Sequence, residues 1–291
     1  MSAANNSLPL PATRRILSDL KELTKSLDGT GIYFHHEDDN LRKVWVVITG
    51  ADGTPYEDCP MWFEFEFPDM YPMISPKGKF CTGDGKTRFN PNLYVDGKIC
   101  LSILGTWQGP SWTPVMTLHT IINSICALVM NEEPLRNEPG WERSHEKDIK
   151  EYNQVVEYRC LCVGLVQQLK NTHQNFMPMR EKMLEHFKRN FGRIMERVRQ
   201  RKEKLDGKTV TPRFGASWKL DYSKLEQDLL ELGKDNGLEV EVPQELPDVS
   251  RLTITERPKP KDCEVGQEWE QDGKRYVCAV NARGVKFWKK N

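Results

Sequence analysis

The stretch Phe89-Asn90-Pro91-Asn92-Leu93-Tyr94, followed by Gly97-Lys98-Ile99-Cys100-Leu101, decides how this chain reads. Pro91 fixes its own φ and biases Asn90 toward an extended shape. Asn92 then sits on a rigid platform, with a side-chain amide that donates two hydrogen bonds. Asp96-Gly97 is a turn signal that doubles the chain back. Cys100, eight residues after Asn92, is thereby returned toward that amide. A thiolate beside a preorganised amide donor is the minimum equipment for acyl transfer through a tetrahedral oxyanion.

Working outward, the chain has 291 residues, of which 38% are apolar, enough for a core and for extensions. Its 42 basic and 42 acidic residues cancel, so no global charge draws nucleic acid or a membrane surface, and neither is expected as a partner. No apolar run approaches a membrane span, and Met1 to Thr13 lacks a signal-peptide core. A soluble protein of the cytoplasm is expected, with the nucleus left open. In that compartment the eight cysteines are expected to remain thiols. Cys160-x-Cys162 has the wrong spacing for a zinc knuckle, and the six histidines show no ligand spacing, so no metal is expected.

Residues 1–12 read as a flexible N-terminus. Thr13 to Leu27 places Ile16, Leu17, Leu20, Leu23 and Leu27 in a helical stripe, with Thr13 as N-cap and Gly29 and Gly31 as the stop. Ile32–Phe34, Val44–Ile48 and the alternating Met61–Phe67 read as strands, and a fourth lies between Gly78 and Phe89. Leu118–Met130 is a helix with Ile121, Ile122, Ile125, Leu128 and Val129 on one face. Further helices follow over Glu146–Leu169, from Pro178 to about Leu205, and over Asp221–Gly233. Four prolines between Pro243 and Pro260 mark a linker, and alternating apolar residues from Trp269 to Trp288 suggest β-hairpins.

Three motifs in this order resemble the ubiquitin-conjugating enzyme family. Asn90-Pro91-Asn92 with Cys100 is similar to its His-Pro-Asn…Cys segment, with Asn90 standing in place of the histidine. Phe67-Pro68-Asp69-Met70-Tyr71-Pro72 resembles its Phe-Pro-x-x-Tyr-Pro loop, and Trp112-Thr113-Pro114 its Trp-Ser-Pro turn. Leu101 to Trp107 and Asn137-Glu138-Pro139-Gly140 resemble the large Z-type and O-type subclass. The Z-type resemblance continues through Tyr152-Asn153 and Arg213-Phe214-Gly215 to Leu220-Asp221-Tyr222.

The resemblance implies an α+β ubiquitin-conjugating fold: an N-terminal helix, a four-stranded antiparallel meander and C-terminal helices. The expected plan is a catalytic core over 13–150, a helical extension packed on it over 151–240, a proline-rich linker over 241–260 and a small β-rich module over 261–291. The implied partners are ubiquitin or a ubiquitin-like modifier, its activating enzyme, a ubiquitin ligase and protein substrates. No cofactor is implied, because ATP is consumed by the activating enzyme.

Cys100 is the expected nucleophile, against the bland reading of one buried cysteine among several. Asn92 either donates to the oxyanion or pins the loop to nearby backbone, and one amide can do both. The resemblance makes Asn90 structural. Pro91 and Tyr94 support the loop, and Tyr94 either lines the acyl channel or packs. Glu138 is a candidate to orient an incoming amine. Met73, Pro114 and Val115 fall where the family meets its ligases, with a core anchor as the alternative for Met73. Arg14, Arg15 and Lys21 lie on the polar face of the first helix, which in the family meets the activating enzyme; the alternative is a face that is only solvated. The basic run Arg197 to Lys204 reads as the solvated face of a long helix, with a localisation signal as the alternative. Two rivals from other classes remain. One is a non-catalytic binding module of the same fold. The other is a cysteine hydrolase, which would need a base histidine absent from the predicted site.

Overall fold

Met61 to Phe67 alternates as expected and forms β3 (Pro60–Glu66) of a four-stranded meander. The other three strands are β1 (Ile32–Glu37), β2 (Asn40–Thr49) and β4 (Lys77–Phe80), antiparallel in the order β1-β2-β3-β4. The computed structural model describes residues 8–27, 29–238, 265, 268–271, 274–280 and 286–290. The chain divides into two compact units, Met1–Val240 and Glu241–Asn291.

Register assigns the two faces of the sheet. Phe34, Val46, Phe63 and Phe80 pair across the strands on one face, and Tyr33, Val47 and Trp62 on the other. Val44 to Ile48 is buried without a break, so both faces of β2 are covered. On the first face Phe80 meets the Phe89 ring edge-on at 6.0 Å, which seats the active-site segment there. On the second face Trp62 meets Phe176 at 4.4 Å, which brings the extension onto the sheet. Full burial of an aromatic of this size contributes about 1.5–3 kcal/mol.

The first helix, α1, spans Leu10–Ser26 and starts before the expected Thr13. Pro9 takes the cap position and Pro11 the first turn, where a missing N–H costs no hydrogen bond. Thr13 therefore lies inside the helix, and its Oγ1 donates to the Pro9 carbonyl at 3.2 Å. Helix α2 (Leu118–Ser124) carries the expected Ile121 and Ile122 inward, then widens into a π-turn over Ile125–Val129. The Met130 N–H closes that turn on Ile125 O at 2.8 Å. The extra residue shifts the helical phase. Leu128, expected on the buried face, is consequently 61% exposed.

The extension begins with α3 (Glu146–Arg159), which runs through a π-helical stretch, Cys160–Gln167, into the short α4 (Gln168–Lys170). The long α5 (Met177–Leu205) packs on α6 (Tyr222–Asp235) and touches β1. Between α5 and α6 lies a small hairpin, β5 (Thr209–Val210) with β6 (Trp218–Lys219).

The basic run on α5 is not a solvated face. Arg197 sits against Glu57 and Asp58, Arg201 bonds Glu157 at 2.9 Å, and Arg199 and Lys202 both bond Glu226 at 2.9 Å. One turn earlier Arg193 reaches Asp52 at 2.9 Å and also Asp58. The run docks the extension on the loop after β2 and on its own neighbours.

In the second unit β7 (Glu268–Gln271), β8 (Lys274–Val280) and β9 (Lys286–Lys290) form an antiparallel meander. The 241–260 linker expected from the sequence lies outside the described residues. Cys278 on β8 is disulfide-bonded, which corrects the expectation that every cysteine stays a thiol. Three short strands enclose little core, and a cross-link offsets part of the chain entropy. Among the described residues no helix is long and apolar enough to cross a membrane.

Candidate active site

The Asn-Pro-Asn turn is built from the inside out. Asn90 is fully buried. Its Nδ2 donates to the Tyr56 phenol oxygen at 2.7 Å and to the Val129 carbonyl at 2.6 Å. Its Oδ1 accepts the Asn92 N–H at 2.8 Å. Tyr56 in turn donates to the Phe89 carbonyl at 2.9 Å. Burial holds the Tyr56 phenol well above its usual pKa, so it stays protonated and able to donate. Asn90 thus uses both ends of its amide to nail the turn to the core.

Asn92 and Cys100 are brought together at two points. The Cys100 N–H donates to the Asn92 carbonyl at 2.8 Å, and Asn92 Nδ2 donates to the Cys100 carbonyl at 2.9 Å. One amide hydrogen of Asn92 is used by this latch. Asn92 Oδ1 is buried and has no hydrogen-bond partner among the described residues. Gly97 makes the return possible: its φ is 94°, and a Cβ there would stand 2.9 Å from the Phe80 carbonyl. Beyond the cysteine, Thr106 Oγ1 accepts the Leu101 N–H at 2.9 Å and donates to the Ile99 carbonyl at 2.6 Å.

Cys100 is buried, with 1% of its surface exposed, and is a free thiol. Burial pushes the thiols of Cys81, Cys126 and Cys162 up to about 11. Cys160 is driven well above the usual value by burial and then by its bond to Cys59. These four thiols are protonated near neutrality and are poor nucleophiles.

Tyr94 is half-buried and serves as a platform. The Arg88 guanidinium lies 4.0 Å over its ring and Lys98 Nζ 5.4 Å over it. Arg88 also donates to the Pro91 carbonyl at 2.7 Å and stands 3.8 Å from Glu138. Glu138 therefore reaches the site, but in this state it faces a cation. Nothing in the local sequence marks Arg88, Tyr56 or Thr106. Their partners lie on other segments or on main-chain atoms, which a linear motif does not display.

The ligase-contact candidates share one surface. Trp112 Nε1 donates to the Pro72 carbonyl at 2.8 Å, tying the two loops together. Met73 is 65% and Val115 84% exposed, and Pro114 is exposed beside them. Met73 is thus no core anchor. Of the three basic candidates on α1, Arg14 and Lys21 are exposed. Arg15 is committed inside the protein: it bonds Asp19 at 2.8 Å and the carbonyls of Pro114 and Met116 at 2.9 Å. It braces the 114–116 loop and is not part of a free polar face.

The family model for "Ubiquitin-conjugating enzyme" matches residues 15–161. "Ubiquitin-conjugating enzyme E2 Z" of Xenopus tropicalis is 35% identical over 225 residues, 76% of this chain and 70% of that protein. The Homo sapiens protein of the same name is 34% identical over 222 residues, 75% of this chain and 61% of that one. "Probable ubiquitin-conjugating enzyme protein 17" of Caenorhabditis elegans is 38% identical over 184 residues, 59% of this chain but only 25% of that protein. The Z-type resemblance seen in the motifs is borne out by these relatives. A four-stranded meander, a cysteine latched to an Asn-Pro-Asn turn and a family match across both place the chain in the ubiquitin-conjugating enzyme family.

Proposed function

We propose that this chain carries ubiquitin or a ubiquitin-like protein as a thioester on Cys100 and passes it to a lysine or to a ligase cysteine. The observation that carries the reading is the two-point latch between Asn92 and Cys100. The Cys100 thiolate attacks the thioester carbonyl of the modifier on its activating enzyme. A new C–S bond forms, the old one breaks, and the activating enzyme's thiolate leaves. In the second step an amine nitrogen attacks the same carbonyl, a C–N bond forms, the C–S bond breaks and the Cys100 thiolate departs, while the amine's proton passes to solvent water. Asn92 supplies its second amide hydrogen to the oxyanion while the first stays on the Cys100 carbonyl. Glu138 orients the amine once Arg88 releases it. Met73, Pro114 and Val115 receive the ligase. Arg14 and Lys21 meet the activating enzyme.

The test is a thioester assay with a panel of activating enzymes, modifiers and ATP. Cys100→Ala is expected to give no thiol-sensitive adduct, while changes at Cys81, Cys126 or Cys160 still load. A Cys100→Ala protein that forms the adduct removes the assignment. Failure of the unaltered chain with every pair favours a non-catalytic binding module.

A further inference from the structure

The hairpin between α5 and α6 reaches the active-site turn through a run of alternating aromatics and guanidinia. Arg88 lies over Tyr94 at 4.0 Å on the catalytic side and over Phe214 at 5.2 Å on the extension side. Phe214 is held from behind by Trp141 at 6.2 Å and Tyr152 at 6.0 Å. Arg213, next along the hairpin, lies 5.5 Å over Trp141 and bonds Asp148 at 3.4 Å. At the hairpin's base Arg159 lies 4.0 Å over Trp218 and donates to Thr87 at 3.1 Å. The extension thus grips the segment at Thr87 and, through Phe214, at Arg88, which carries the contact on to Tyr94. The grip is not explained by hydrogen bonding alone, because Arg88 Nε is buried without a hydrogen-bond partner among the described residues. A planar cation left short of one bond is kept in place by the rings that sandwich it.

We infer that Phe214 and Arg88 are positioning residues for the transfer step. Phe214 fixes the Arg88 plane. Arg88 fixes the Pro91 carbonyl and the Tyr94 ring, and so the Asn92 amide that lies between them. The 211–217 loop is then a wall of the active site. This inference rests on the proposed role of Cys100 and deepens it. Misplacing a donor by a fraction of an ångström lowers the turnover of the bound acceptor more than its binding.

The test uses the full chain and three variants. Phe214→Leu keeps apolar bulk and removes the ring, Phe214→Tyr keeps the ring, and Arg88→Lys keeps the charge and loses the planar fork. The first measurement needs no activating enzyme: alkylation of Cys100 by N-ethylmaleimide, followed at the peptide level. Phe214→Leu and Arg88→Lys should speed it by about two- to fivefold, the scale of one lost cation–π contact. The second is single-turnover discharge of loaded protein to free lysine. The maximal rate should fall by a similar factor, with the half-saturating lysine concentration and melting temperature held, and Phe214→Tyr should rescue most of the loss. Unaltered alkylation and discharge in Phe214→Leu overturn the inference, as does equal impairment in Phe214→Tyr. A lower melting temperature with unchanged Cys100 alkylation also overturns it, by marking a structural role only. If Phe214→Leu does not fold, Arg88→Lys decides by the same readouts. If the unaltered chain never loads, the reading of Cys100 fails, while the alkylation arm still decides whether the grip orders the turn.

Discussion

Asn92 has two amide hydrogens, and the latch to Cys100 uses one of them. The two roles weighed from the sequence are therefore compatible in one side chain. Replacing Asn92 with Ala removes both at once, and the two steps of the reaction should feel it unequally. Loading is helped by the activating enzyme's own site. Discharge to a lysine relies on this chain's donors. We expect Asn92→Ala to slow single-turnover discharge by roughly 10²–10³-fold, the usual effect of one lost oxyanion donor, and to slow loading much less. An unchanged discharge rate in a folded Asn92→Ala protein would leave only the loop-pinning role. Asn90, Asn92 and Cys100 were legible because proline, turn glycine and cysteine lie within a dozen residues and interact locally. Arg88 and Phe214 were not, because they are more than a hundred residues apart in sequence and meet only when the extension docks.

At the scale of elements, β3 is legible from its alternating residues, and β1 and β2 from short apolar runs bounded by turns. The misreadings came where backbone hydrogen bonding departs from that of a regular helix. The π-turn after Ser124 rotated Leu128 outward, and two prolines let α1 begin early. The docking of α5 was misread for another reason. A run of arginines looks the same whether its partners are water or acids brought by another loop. Asp58 shows the difference. It is buried at a left-handed φ of 64°, a shape that Asn also tolerates, so Asp58→Asn changes charge without straining backbone. Burial works to raise the Asp58 pKa, but the bonds from His186 and Arg193 and the charge of Arg197 outweigh it and hold the carboxyl below 3.8. A depressed carboxylate stabilises the fold above its unfolded pKa and loses that contribution as pH falls through the folded value. Asp58→Asn should therefore lower stability at neutral pH, by less than the loss of a whole buried ion pair, since Glu57 still partners both arginines. The gap should begin to close near pH 3.8 and vanish below the folded pKa. Urea melts of both proteins at neutral and acid pH measure it, and a gap that persists in acid would refute the ion-pair account.

At the scale of the whole chain, the two units should contribute differently to the catalytic core. The extension cannot be removed without exposing apolar surface. Phe187, Ile194 and Val198 on α5 are fully buried, and Trp62 of the sheet is covered in company with Phe176. A stripe of that size left open drives association. The unit from Glu241 onward has its own sheet, in which β8 pairs with both β7 and β9, and its own cross-linked cysteine. A unit that satisfies its strands internally has the character of a separable module. Two truncations test the division. Ending the chain before Gln244 should leave the rate of Cys100 loading and the melting temperature of the remaining protein unchanged. Ending it before Lys147 should give a protein that aggregates or melts early, because α3, α5 and α6 go with it. The bland alternative is that the aromatics Trp269, Tyr276, Phe287 and Trp288 serve to cover the catalytic unit. In that case removal of residues 244–291 alone would lower the melting temperature or the loading rate, and the module reading would fall.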